Sequence, residues 1–245
     1  MVTLSKHNVQ VIYLYASTFL GSLLGFLTSI INTNFLSEAD YGDVRYVQNL
    51  ISLFSWILLF GYFLSGNRLL AVSRDECYSR RVRGAMIVVL AICTLMLMGM
   101  TVALGLFHVD SLSVRHLFLV SIPVCFYPLL TNYINTTAQG DNYIGRLAIS
   151  RVLPALLYVP IAYGVYSYYG ATSSLVTLLQ WGIYCIVLVV VVASTGPSFK
   201  NLGPIFSALQ SENKEYGIHL YYGSLAMVAT SYLAGVTLGI FNDDN

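Results

Sequence analysis

Long apolar runs separated by short polar intervals make up almost the whole chain. Each run has the length of a membrane span, for which about 20 mostly apolar residues cross roughly 30 Å of hydrocarbon. Seven runs meet that length, over residues 9–33, 46–64, 85–107, 117–137, 147–168, 172–193 and 218–241. Inside the runs, polar residues recur at steps of three and four, the period of a helix rather than a strand. The pattern predicts an all-α polytopic membrane bundle of about seven transmembrane helices. The first run is too long for a cleavable signal, and no small-residue cleavage site leads into a soluble domain.

Composition sharpens this. Hydrophobic residues are 57% of the 245 and charged residues 9%, against about 25% charged in soluble domains. A net charge of +1 gives no basic field for nucleic acid. Cys77, Cys93, Cys125 and Cys185 have no metal or redox spacing and read as unpaired thiols. His7, His108, His116 and His219 sit near span ends. No Ser-His-Asp set, HExxH motif, P-loop or carboxylate pair facing a pocket is present, so neither an enzyme nor a cofactor is expected.

The bases set the orientation. With the N-terminus in the cytoplasm, Lys6, Arg68, Arg74, Arg80, Arg81, Arg83, Arg146, Arg151, Lys200 and Lys214 fall inside, and Arg45 and Arg115 outside, 10 against 2 of the 12. Glu38, Asp40 and Asp43 then occupy a short outer loop, where acids are tolerated. The 66–84 segment reads as a basic anchor at an anionic inner leaflet. Pro204, Ile205, Phe206 and Leu209 predict a short helix on the inner surface.

Two polar stripes carry the candidate chemistry. In span two, Arg45, Gln48, Asn49, Ser52 and Ser55 share one face, which should look at other helices or, given the bulk of the amides, a wet cavity. In span one, Ser17, Gly21, Gly25, Thr28 and Asn32 form a small-residue stripe suited to close helix packing. Pro123 and Pro128 in span four, and Pro154 and Pro160 in span five, predict broken helices. Asn132, Asn135 and Gln139 share a face of span four. Asn135-Thr136-Thr137 matches a glycosylation sequon but falls at the cytoplasmic end. Mid-span acids are absent from all seven runs, whereas Arg68, Arg151 and Arg45 lie at span edges, where a guanidinium can snorkel to water or bind a phosphate through its planar fork.

FLSEADYGDVRYVQNLISLFSWILLFGYFLSGNRLLA, with Tyr41-Gly42, Gly66 and Arg68, resembles the opening of the polysaccharide (O-antigen and capsule) flippases of the multidrug/oligosaccharidyl-lipid/polysaccharide exporter superfamily. TAQGDNYIGRLAISRVLPALL resembles their junction of spans four and five. The resemblance implies a bacterial inner-membrane protein that turns an undecaprenyl-pyrophosphate-linked oligosaccharide from the inner to the outer leaflet, through a cavity between two six-helix lobes. Membrane lipids and glycan-assembly polymerases are the implied partners. The chain is shorter than such a protein and reads as truncated: residues 1–194 as a six-helix lobe, 195–217 as a cytoplasmic interfacial linker, and 218–245 as the first helix of a second lobe. Ser231, Gly235 and Gly239 repeat Ser17, Gly21 and Gly25 at an offset of 214. Arg68 and Arg151 are the candidates for the pyrophosphate at the inner mouth. Gln48, Asn49, Ser52, Asn132 and Asn135 are candidates for the sugar path, and Arg45 for the outer mouth. The competing readings are a multidrug or metabolite antiporter of the same superfamily, a membrane glycan polymerase or ligase, and a structural subunit.

Overall fold

A computed structural model describes residues 6–107, 111–228 and 230. The helices are α1 (Lys6–Phe35), α2 (Glu38–Ile57), α3 (Tyr62–Val72), α4 (Glu76–Phe107), α5 (Leu112–Ser121), α6 (Tyr127–Gly140), α7 (Ile144–Tyr169), α8 (Ser173–Ser194) and α9 (Gly203–Glu212). A 3₁₀ turn (Ile122–Val124) joins α5 to α6, and a π turn (Asn213–Gly217) follows α9. Residues 218–228 are helical. The rest of the run 218–241, with Ser231, Gly235 and Gly239, lies outside the described residues.

The protein is an all-α multi-pass membrane bundle. α1, α4, α7 and α8 are each long and apolar enough to span unbroken, and α2–α3 and α5–α6 are bent pairs that pass the same test together, which gives four spans among the described residues, or six where each bent pair is one span. Loops alternate between two ends. At one end Ser37, Ser111 and Thr172 cap α2, α5 and α8 by accepting from backbone amides, the usual service of Ser and Thr at a helix start. Across the same end, Asp40 accepts from Ser173 at 2.9 Å and Asp43 accepts from Ser113. The arginine-rich opposite end gathers the connections around residues 73–75, 141–143 and 195–202.

The core joins α2 through α6 and α8, with Ile51, Phe63, Met86, Leu97, Phe118 and Leu129 buried. The outside of α1, α4 and α8 is apolar as well, for instance Phe19, Phe26, Leu95, Ile186 and Val190. That inversion of a soluble surface is what lipid requires. α1 packs mainly along α7.

The two broken spans have different causes. Pro123 and Pro128 break span four as expected, with a bend of 42°. Span five departs from expectation: α7 runs unbroken through Pro154 and Pro160. It is packed between α1 and α8, and neighbouring helices let a membrane helix absorb the amide that each proline removes. The larger bend, 61°, is in span two, where no proline predicts one. Phe60 and Gly61 turn there with φ of 45° and 78°. The carbonyls freed by the bend find donors elsewhere. Tyr221 Oη donates to Ile57 O (2.7 Å), Cys93 Sγ to Leu58 O (3.1 Å) and Asn213 Nδ2 to Phe60 O (3.1 Å). The helix α9 is confirmed, with Pro204 in its first turn and Ile205 and Leu209 buried against α3 and α4.

Candidate functional site: a polar cleft with one arginine

A cleft of about 380 Å³ opens between α1, α6, α7 and α8. Its polar lining comes from Thr18 and Ser22 of α1, Thr131 and Asn135 of α6, and Ser150 and Arg151 of α7. Steps of three and four explain the walls. Thr18, Ser22 and Gly25 follow one face of α1; Tyr127, Thr131 and Asn135 follow one face of α6; Tyr184 and Leu188 follow one face of α8. Gly21 and Gly25 divide the work of the small-residue stripe. A Cβ on Gly21 would sit 3.4 Å from the Arg151 carbonyl oxygen, so Gly21 sets the α1–α7 approach, whereas Gly25 borders open space.

Arg151 is the charge of the cleft. It lies seven residues into α7, about 10 Å from the arginine-rich end at 1.5 Å per residue. Its Nη1 donates to Thr18 Oγ1 at 2.6 Å, and that hydroxyl in turn donates to Leu14 O at 2.8 Å. Thr18 is thereby oriented to accept from the guanidinium. Among the described residues the ion pairs are Arg68–Glu212, Arg83–Glu76 and Arg83–Asp141, so no carboxylate neutralises Arg151. An ionisable side chain at membrane depth usually has a working partner. Here the one side-chain hydrogen bond it makes among the described residues is to the neutral hydroxyl of Thr18.

The remaining sequence candidates are scattered. Asn135 joins Arg151 in the cleft; Asn132, one turn earlier on α6, is half-buried beside it. Span two contributes nothing to the cleft walls. Gln48 is buried, and its Nε2 donates to Gln180 Oε1 at 3.4 Å, the atom that also accepts from Asn32 Nδ2 at 3.3 Å. Tyr158 donates to Asn32 Oδ1 at 2.5 Å, which leaves Tyr166 to donate to the Tyr158 oxygen at 2.9 Å. The expected cavity wall at Gln48 is therefore a closed polar contact between helices, because amides that satisfy one another can be buried cheaply. Ser52 donates to Gln48 O at 2.7 Å, and Asn49 is half-buried. Arg45 is exposed at the far end, its Nε on Tyr41 Oη at 3.0 Å and its Nη2 on Ser29 Oγ at 3.4 Å. Arg68 is half-exposed, pairs with Glu212 at 2.7 Å and lies over the Tyr216 ring, which ties α3 to the segment after α9.

One cluster escaped the sequence reading. Arg83, read there only as part of a basic anchor, is 1% exposed and donates to Asp141 (2.7 Å), Glu76 (3.0 Å) and Thr195 O (2.7 Å). Arg146 donates to Ser194 O and Arg80 to Gly196 O, so three arginines take three successive carbonyls at the C-terminus of α8. Cations are favoured there by the helix dipole and the unpaired carbonyls. Burial pushes the Asp141 carboxyl above its ordinary range, with the Arg83 hydrogen bond pulling it back. A lone Asp in an otherwise acid-free segment was the available signal.

The helices form a multi-pass membrane bundle, and four of them, α1, α6, α7 and α8, line a polar cleft whose one charged side chain is Arg151. The chain belongs to the polysaccharide biosynthesis protein family, whose profile matches residues 9–245. Membership points to a role in polysaccharide biosynthesis or export, in a family whose members are typically transporters. Neither a curated protein nor a solved structure matches the chain.

Proposed function

We propose that this protein moves a lipid-linked oligosaccharide, carried on undecaprenyl pyrophosphate, from the inner to the outer leaflet of the bacterial cytoplasmic membrane. The carrying observation is Arg151, a cation without an acid in a polar cleft at the arginine-rich end. That end is cytoplasmic by the distribution of positive charge, which puts the N-terminus inside. The substrate of such a transporter is made on the cytoplasmic side and carries its charge as phosphate, which a guanidinium binds through two parallel hydrogen bonds. Asn135 and Asn132 supply hydrogen bonds beside it, and the polyprenyl tail stays in lipid. In this reading Arg68 acts at the α3–linker contact. Arg45 lies at the opposite mouth. Gln48, Asn49 and Ser52 close the path between them until the lobe rearranges. The six spans form one lobe, residues 195–217 the linker, and the helix from Ile218 onward opens a second lobe.

The test is an Arg151→Ala substitution at the native locus. Surface polysaccharide falls, and lipid-linked glycan accumulates in the inner leaflet. Unchanged surface polysaccharide with normal protein levels would sink the reading.

A further inference from the structure

The cleft is small for an oligosaccharide. At about 380 Å³ it sits near the lower end of the roughly 300–1,000 Å³ typical of small-ligand sites. What it can enclose is a single sugar with its phosphate.

Part of its lining is aromatic. Tyr127 and Tyr184 both line the cleft, with ring centroids 5.3 Å apart and planes at 69°, which makes a corner of two rings. Buried rings hold that corner in place. Trp181 lies against Tyr127 at 5.5 Å, and Tyr158 against Tyr184 at 6.1 Å; both are almost wholly buried. From Tyr127 the same face of α6 presents Thr131 and then Asn135, a ladder of ring, hydroxyl and amide about 12 Å long at 1.5 Å per residue.

This matches the surface chemistry of a pyranose. One face of a sugar ring carries C–H groups that lie on an aromatic ring, while its hydroxyls point outward to hydrogen-bonding groups. Tyrosine suits such a contact because its body is apolar and its rim polar. A bare phosphate or a lipid tail would use either the arginine or the rings, but not both.

We infer that the cleft is a one-sugar subsite, resting on the reading above. Arg151 takes the phosphate attached to the reducing-end sugar. The Tyr127–Tyr184 corner takes the ring of that sugar, and Asn135 and Thr131 read its hydroxyls. The rest of the glycan stays outside the cleft. Tyr127 and Tyr184 are thus the specificity-determining residues for the first sugar.

The test uses the purified 245-residue protein in lipid nanodiscs. The Trp56→Phe variant leaves Trp181 as the reporter, since the chain has two tryptophans. Three probes are titrated: undecaprenyl pyrophosphate, the same lipid carrying one hexose or N-acetylhexosamine from a panel, and the matching UDP-sugar. At least one one-sugar lipid binds about tenfold tighter than the bare lipid, a factor worth about 1.4 kcal/mol. Tyr184→Leu and Tyr127→Leu abolish that preference and keep bare-lipid binding, while both Tyr→Phe variants preserve it. Arg151→Gln weakens both lipids alike. If no sugar on the panel improves on the bare lipid, or if the Leu variants weaken both lipids equally, the one-sugar subsite is wrong and the lipid reading stands. If the UDP-sugar binds as tightly as the lipid with the same tyrosine dependence, the subsite stands and the lipid-carrier reading fails. If folded protein binds none of the three, both fail.

Discussion

Gly61 and Gly217 meet backbone to backbone where span two bends. A Cβ placed on Gly61 would lie 2.6 Å from both the carbonyl carbon and the carbonyl oxygen of Gly217, and 2.6 Å from Asn213 Oδ1. Asn213 is buried and donates to Phe60 O, and Ser65 Oγ lies 3.1 Å from its Oδ1. The π turn is therefore pegged into the break, and the bend of span two and the start of the helix after the linker form one joint.

That joint leaves no room for a methyl group. Gly217→Ala destabilises the fold by about 1–3 kcal/mol, the usual cost of overpacking. Gly61→Ala costs more, because its φ of 78° adds left-handed backbone strain. Gly99→Ala, at a helical site with nothing within 4 Å of the added Cβ, is neutral or slightly stabilising. Thermal unfolding in detergent ranks the three, and hydrogen exchange at residues 57–65 rises only in the first two.

Arg83 and Asp141 give a pH prediction. Arg83→Gln leaves a carboxylate with 5% side-chain exposure without its main partner. Removing one member of a buried pair costs about 3–5 kcal/mol. Burial already raises the Asp141 carboxyl above its ordinary 3.8, and loss of the guanidinium raises it further. A carboxyl raised in the folded state favours folding when protonated, so the variant is most stable below about pH 4 and loses stability as pH rises through the raised folded value. The wild type, whose Asp141 is raised less because Arg83 pulls it back, shows the same trend in smaller measure. Melting temperatures from pH 4 to 8 check that the variant falls more steeply as pH rises.

Arg68 and Arg151 separate by consequence. Arg68 is half-exposed and paired with Glu212, so Arg68→Ala costs at most about 1 kcal/mol, felt at the α3–linker contact. Arg151→Ala keeps the fold and loses glycan export. Thermal stability and surface polysaccharide, measured on both variants, would show the assignment to be wrong if Arg68→Ala blocked export as fully as Arg151→Ala.

Accessibility distinguishes the two amides. In a Cys77→Ser background, which removes the exposed thiol, Asn135→Cys reacts with a polar maleimide and Gln48→Cys, at a site 5% exposed, does not. Rapid labelling at position 48 would mean that the Gln48–Gln180 contact is open to water.

The sequence by itself determined the class, an all-α multi-pass membrane bundle, and the alternation of the loops. Those depend on local quantities: run length against bilayer thickness, and the sum of charges on each side. It also located the bend at Pro123 and Pro128, where the chain lacks the needed amides. Tertiary structure decided the rest. Whether Gln48 faces water or Gln180, whether Pro154 breaks α7, and whether Arg151 meets an acid or a hydroxyl all depend on side chains brought together from distant positions, such as Gln48 with Gln180 or Thr18 with Arg151. A helical face read from one strand of sequence says which residues point together. It does not say what stands opposite, and in a membrane the opposite face decides whether a polar group is structure or site.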